Sequence, residues 1–193
     1  MAFMGAETEN AIRIAKKSAE IVRRIVPGDG LREEIIRRCI IATGDETFKD
    51  LIVFKGDPME GVKAIRSGCK IIVDVKMLKA GLRRDAIAAI EFGERGKETR
   101  VVDGLRKLRS DLKGSLIGIG NSPSAAIELC RLAKDYPPAF IVATPVGFVN
   151  ASESKEMIRK LEIPSITTVG TRGGSGICAA IINCLIEYAE RSD

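Results

Sequence analysis

From residue 70 onward, four short apolar runs carry β-branched residues and end in turns. They are KIIVDV at 70–75, SLIGIG at 115–120, AFIVATP at 139–145 and SITTVG at 165–170. Runs of this length with no polar alternation read as strands buried on both faces. Helical stretches fit between the later runs, at 99–109, 122–134 and 151–161, and another follows the last run at 174–190. Strand–helix alternation requires crossover connections. The chain is therefore expected to form right-handed βαβ units, with a parallel sheet covered by helices on both faces. Nineteen glycines with only 4% aromatic residues fit this α/β reading better than a β-sandwich.

The first third reads as helical. Ile12, Ala15, Ala19, Val22 and Val26 line one face of a helix over 7–26, and Pro27 and Gly28 stop it. A second helix spans 29–42, with Leu31, Ile35, Cys39 and Ala42 on one stripe and Gly44 as terminator. A short apolar run at 51–54 precedes a helix at 58–67, which ends at Gly68. AIAAIEF at 86–92 suits helix or strand, and strand is the expectation. A length of 193 residues, without repeat or linker, suggests one domain over 1–193.

Composition removes several chemistries. The chain contains no histidine, which excludes a Ser-His-Asp triad, a Cys-His pair and any imidazole acid or base. Proton transfer then falls to Asp, Glu, Lys, Tyr, Cys or water. Five cysteines without a C-x-x-C pair make a Cys/His zinc site a poor reading, and these thiols are expected to pack as small hydrophobes. The net charge of +5 suits a polyanionic small molecule, nucleic acid or a solvated basic surface. No apolar run reaches the roughly 20 residues of a membrane helix. MAFMGAETEN carries neither a basic segment nor an apolar signal core, so a cytoplasmic protein without a membrane partner is expected.

Three loops leave strand ends with unusual residues, where doubly wound sheets bind ligands. GIGNSPSAAIELC (118–130) places Gly-x-Gly, Asn121 and Ser122 ahead of a helix opened by Pro123. It is either an anion cradle or a tight, capped turn. It lacks the third glycine of a dinucleotide fingerprint and the Gly-Lys-Ser/Thr of a P-loop. TPVGFVNASESKE (144–156) puts Gly147 and Phe148 beside the strand ends, then Asn150, Ser152, Glu153 and Ser154 at the next helix start. VGTRGGSGICAA (169–180) sets Arg172 beside a helix N-terminus at Gly173, Gly174 and Ser175, a good carboxylate or phosphate receptor.

Together, GIGNSPSA (118–125), PVGFVNASESK (145–155), RGGSG (172–176) and DVKMLKAGL (74–82) resemble the precorrin-8X methylmutase (cobalt-precorrin-8 methylmutase) family of cobalamin biosynthesis. Weaker matches are Ser18 with Arg23, and Thr99-Arg100. The resemblance implies a three-layer α/β/α, flavodoxin-like, doubly wound fold with a five-stranded parallel sheet. It implies a homodimer whose substrate site draws on both subunits. The implied reaction is methyl transfer from C11 to C12 of a corrin-ring intermediate, giving hydrogenobyrinic acid or its cobalt counterpart, cobyrinic acid. It needs no cofactor and no added metal; any cobalt arrives inside the substrate. Nucleic acid is not an expected partner.

The resemblance also assigns roles. Arg23, Arg100, Lys155 and Arg172 are expected as cations around the rim of a corrinoid cleft, with Phe148 against the macrocycle. Ser18, Thr43, Asn121, Gly147, Ser152, Glu153, Gly173, Gly174 and Ser175 complete the expected substrate contacts. In CIIATGDETF (39–48), the family's catalytic histidine position holds Ile41, which donates no proton. Asp45, in the same turn, is the candidate replacement acid or else a solvated turn residue; Cys39 points to another helix face. The alternative reading is a related corrinoid-binding protein without normal catalysis. A generic phosphate- or nucleotide-binding protein of the same fold ranks lower.

Overall fold

The computed structural model of the chain describes residues 8–191. Residues 1–7, which include the first residue of the expected N-terminal helix, and residues 192–193 lie outside that range. Eight α-helices run in the order α1 (Glu9–Ile25), α2 (Leu31–Thr43), α3 (Met59–Arg66), α4 (Lys76–Ala80), α5 (Arg100–Lys107), α6 (Pro123–Leu132), α7 (Ala151–Lys160) and α8 (Ser175–Glu190) among the described residues. The strands are β1 (Ile52–Lys55), β2 (Ile71–Val73), β3 (Ile87–Ala88), β4 (Leu116–Ile119), β5 (Phe140–Ala143) and β6 (Ser165–Thr168). They form one sheet in the order β1-β6-β5-β4-β2-β3.

The five strands from β2 to β6 are mutually parallel, and their spatial order is that of flavodoxin-type doubly wound sheets. The expected five-stranded parallel sheet is therefore present, but a sixth strand extends it. β1 lies antiparallel on β6, with Ile52 opposite Thr168 and Lys55 opposite Ser165. The reversal follows from the chain path, because β1 enters from the short 3-10 helix Glu46–Asp50 after α2 and not from a crossover.

Helices α3, α4 and α8 cover one face of the sheet, with α2 against α8 and α1 against α2. Helices α5, α6 and α7 pack together and cover the other face. The axis of the first layer is α8, whose Ile177, Cys178, Ile181, Ile182, Cys184, Leu185 and Ile186 are all buried. Small residues set this packing. A Cβ at Gly118 of β4 would stand 2.8 Å from Ile182, and one at Gly61 of α3 would stand 3.0 Å from Phe140. On the other face the strand expectation for 86–92 shrinks to Ile87–Ala88, followed by a 3-10 turn over Ala89–Glu91. The chain turns there to lie directly on α5, where a Cβ at Gly104 would collide with the Ala89 carbonyl at 1.8 Å.

Cys39, Cys130, Cys178 and Cys184 are buried and Cys69 is partly so, all as free thiols. Burial pushes the Cys130 thiol up to about 11 and the Cys184 thiol up to about 12, so neither supplies a thiolate near neutral pH. No described helix is long and apolar enough to cross a membrane.

Candidate functional site

The parallel order reverses between β2 and β4, and the crevice outside their carboxyl ends is organised by Asp74. This carboxylate is fully buried. One oxygen accepts from the Val75 amide at 2.9 Å, and the other from the Asn121 and Ser122 amides at 2.7 and 2.9 Å. Burial pushes the Asp74 carboxyl up, and the surrounding amide donors pull it part of the way back. The result is a clamp that gathers the β4–α6 loop onto the end of β2. Ser122 then caps α6 by accepting from the Ala125 amide, and Pro123 occupies the first turn. The capped-turn reading of this loop therefore holds, and the anion its amides receive is the chain's own Asp74, while Asn121 remains exposed. Asp74 lay within a quoted motif, yet it was not among the expected site residues. Its signal was a lone acid interrupting a β-branched run at a strand end.

The β5–α7 loop presents its apolar residues outward. Phe148 is 96% exposed and Val149 is 75% exposed. Gly147, at φ 137°, donates its amide to the Thr171 carbonyl at 3.1 Å and so ties this loop to the β6–α8 loop. Asn150 occupies the α7 N-cap position in a left-handed conformation without a side-chain capping bond. Ser152 and Glu153 follow in the first turn of α7.

Arg172 is the hub of the third loop. Its guanidinium pairs with Asp45, donates to Thr47 Oγ1 at 2.6 Å and lies 4.9 Å above the Phe48 ring. Asp45 caps the Glu46–Asp50 turn, accepting from the Thr47 amide at 2.9 Å and its hydroxyl at 2.7 Å. Every one of these Asp45 partners is a donor, an arrangement that suits an ionised carboxylate anchoring Arg172. Thr43 donates its hydroxyl back to the Cys39 carbonyl at 2.8 Å, and Gly44 ends α2 in the left-handed conformation. Ile41 is half-buried in the same last turn, against the core.

Beyond Arg172 the chain runs hard against β5. A Cβ at Gly173 would meet the Thr144 carbonyl at 2.2 Å, and the Gly174 amide donates to that carbonyl at 2.7 Å. Helix α8 then starts at Ser175, whose buried hydroxyl has no hydrogen-bond partner among the described residues. Arg172 thus stands three residues before the positive end of the α8 dipole, with its guanidinium turned to Asp45, Thr47 and Phe48.

Two expected rim cations are placed differently. Lys155 is not at the rim: it is fully buried beneath the β6–α8 loop, donating to Thr168 Oγ1 at 3.0 Å and the Arg172 carbonyl at 2.9 Å. Desolvation, with Arg159 nearby, pulls its amine down to about 8. Arg23 pairs with Asp29 ahead of α2, whereas Asp45 follows that helix. Thirteen helical residues, about 20 Å, separate the two ends of α2. Ser18 donates back to the Ile14 carbonyl on the outer helix α1. Within one chain, Ser18 and Arg23 do not join the site. Arg100 does lie on the crevice edge, donating to the Ile90 and Gly93 carbonyls beyond β3.

The fold and this edge define a doubly wound α/β protein with an arginine and an exposed aromatic on loops at the carboxyl edge of its sheet. A family model described as precorrin-8X methylmutase matches residues 13–188. The cobalamin biosynthesis protein CbiHC of Archaeoglobus fulgidus is 62% identical over 98% of this chain, which spans 42% of that protein's length. The cobalt-precorrin-8 methylmutase of Methanocaldococcus jannaschii is 41% identical, covering 97% of this chain and 98% of its own. A crystal structure of the precorrin-8X methylmutase from Thermus thermophilus superposes with a TM-score of 0.84 at 30% identity, covering 91% of this chain and 96% of its own. The chain belongs to the precorrin-8X methylmutase family, whose named members are methylmutases of cobalamin biosynthesis.

Proposed function

We propose that this protein is an isomerase that moves a methyl group from C11 to C12 of precorrin-8X or cobalt-precorrin-8. The C11–methyl bond breaks, a C12–methyl bond forms, and no electron enters or leaves the ring. The reaction needs no resident metal or redox cofactor on this reading, and cobalt, where present, belongs to the substrate. The observation that carries the proposal is that the loop of exposed Phe148 and the loop of Arg172 leave neighbouring strand ends and are joined by the Gly147 amide to the Thr171 carbonyl, with α8 starting just beyond. A flat macrocycle fringed with carboxylates needs that pairing of an apolar wall with anion receptors.

Arg172 and Arg100 receive ring carboxylates, the Gly173–Gly174–Ser175 turn lies beside them with its Gly174 amide held by Thr144, and Phe148 lies against the macrocycle. Asn121, Gly147, Thr43, Ser152 and Glu153 line the remaining edge. Ser18 and Arg23 reach the site from the second subunit of a homodimer. Support for that arrangement is the outward apolar surface of α1, where Ile14 is 58% and Ile21 is 53% exposed. The protein works in the cytoplasm.

With isoleucine at position 41 and Asp45 engaged by Arg172, catalysis rests on binding and orientation of the ring. Ile41 also favours the second reading, a corrinoid-binding relative without normal turnover. Mixing the purified chain with cobalt-precorrin-8, and separately with precorrin-8X, and following the product chromophore by absorbance separates the two. Conversion supports the isomerase; tight binding without conversion supports the second reading. Failure to bind either ring overturns both.

A further inference from the structure

Lys155 is the unusual charge in this molecule. It is fully buried, and among the described residues no carboxylate pairs with it. Its neighbours are the Thr168 hydroxyl and the Arg172 carbonyl, and the nearest titratable partner is a second cation, Arg159 of the same helix. Arg159 itself is turned to the Thr167 hydroxyl, at 3.0 Å, and pairs with Glu156. An ammonium without a counter-ion is a costly thing to bury, and methionine would fill the same space without that penalty. The compensation is local. The Arg172 carbonyl accepts from both Lys155 and, at 2.7 Å, the Thr168 hydroxyl. Two inward donors hold that peptide unit, so the Arg172 side chain is directed out over Phe48 and the chain continues into the close pass of Gly173 along Thr144.

We propose that Lys155 is a positioning residue that never touches substrate. From inside the protein it fixes the Arg172 main chain, so that the guanidinium and the first amides of α8 face one carboxylate of the bound ring. The inference rests on the corrinoid reading above for the identity of the ligand, but not for the geometry.

Two variants test it, Lys155→Met and Thr168→Val, each removing one donor to the Arg172 carbonyl. Amide hydrogen exchange over 170–176 is measured without ligand, and affinity for cobalt-precorrin-8 is read as KM, or as Kd by absorbance titration. Both variants should speed exchange in that segment and weaken affinity by about tenfold or more, the effect expected for losing a hydrogen bond to a charged group. kcat should change by less than about twofold, because the chemistry is not touched. Unchanged exchange over 170–176 in a folded variant overturns the proposal, as does a fall in kcat at constant KM. If the wild-type chain binds no corrinoid while either variant loosens the segment, the corrinoid reading falls and the positioning role stands.

Discussion

Arginine at position 172 meets three different demands with one planar group: an ion pair with Asp45, a donor to Thr47 and a cation over Phe48. Lysine cannot reproduce that fork, so the substitution Arg172→Lys should recover little of what Arg172→Ala removes. Losing a charge-assisted contact to a ring carboxylate should weaken corrinoid affinity by about 10–100-fold. The cation is half-exposed, and its pair with Asp45 contributes only about 0–1 kcal/mol to stability. A titration with cobalt-precorrin-8 alongside a thermal melt checks both: affinity should fall while Tm barely moves. Position 41 makes the opposite prediction. Ile41→His puts an imidazole in the last turn of α2, and a well-placed general acid typically contributes ~10²–10⁴-fold to rate. Single-turnover absorbance should therefore show faster conversion in the variant, with substrate affinity little changed. An imidazole that leaves the rate unaltered would mean that this turn does not face the ring nitrogens.

The elements were legible in the sequence where burial on both faces forced uniform apolar runs. β4, β5 and β6, and the helices between them, fall within two residues of their expected ends, because turn residues close each run. β3 was harder to read: two residues pair with β2, and the close approach of Gly104 bends the rest away. That approach is tertiary, and no local pattern carries it. The antiparallel direction of β1 was likewise invisible, since a four-residue apolar run does not say which neighbour it will pair with or in which sense. The three loops do leave the carboxyl ends of β4, β5 and β6 as expected, but burial separates their cations: Lys155 lies three residues after Ser152, on the inward side of α7. Asp74 was the larger omission, and its clamp on the β4–α6 loop can be tested. Asp74→Asn replaces one of two accepting oxygens by an NH2 donor, which faces either the Val75 amide or the Asn121 and Ser122 amides and leaves buried donors unpaired at a cost of about 1–3 kcal/mol. The pH dependence has a definite sign. Burial raises the folded-state value of Asp74 above its unfolded value, so its favourable contribution is complete below the unfolded value and lost as pH rises through the folded one. Chemical denaturation at a series of pH values should show the stability advantage of the wild type over Asp74→Asn narrowing as pH increases.

At the scale of the whole molecule, the carboxyl edge of the sheet holds most of the rim but not all of it. Arg23 sits beyond the other end of α2, and α1 buries only Val22 of its seventeen residues in the chain's own fold. Helices of this length derive most of their stability from packing, and α1 packs on α2 with Ile14 and Ile21 left exposed, which motivates the expectation of a further partner surface. We expect a second copy to supply it by laying its α1 across the open rim: Ile14 and Ile21 become buried, and Ser18, between them on the same helix face, approaches the first chain's Arg172. Ile14→Asp with Ile21→Asp removes the apolar drive for that contact. Sedimentation equilibrium should then show a wild-type dimer and a variant monomer, with corrinoid affinity falling alongside the dimer. Mixing that variant with an Arg172→Ala chain gives a sharper test. If sites are shared across the interface, neither chain alone supplies both an intact α1 and an intact rim, whereas a mixed dimer supplies one complete site. Recovery of binding on mixing would establish the shared site, and its absence, with the dimer intact, would confine the rim to a single chain.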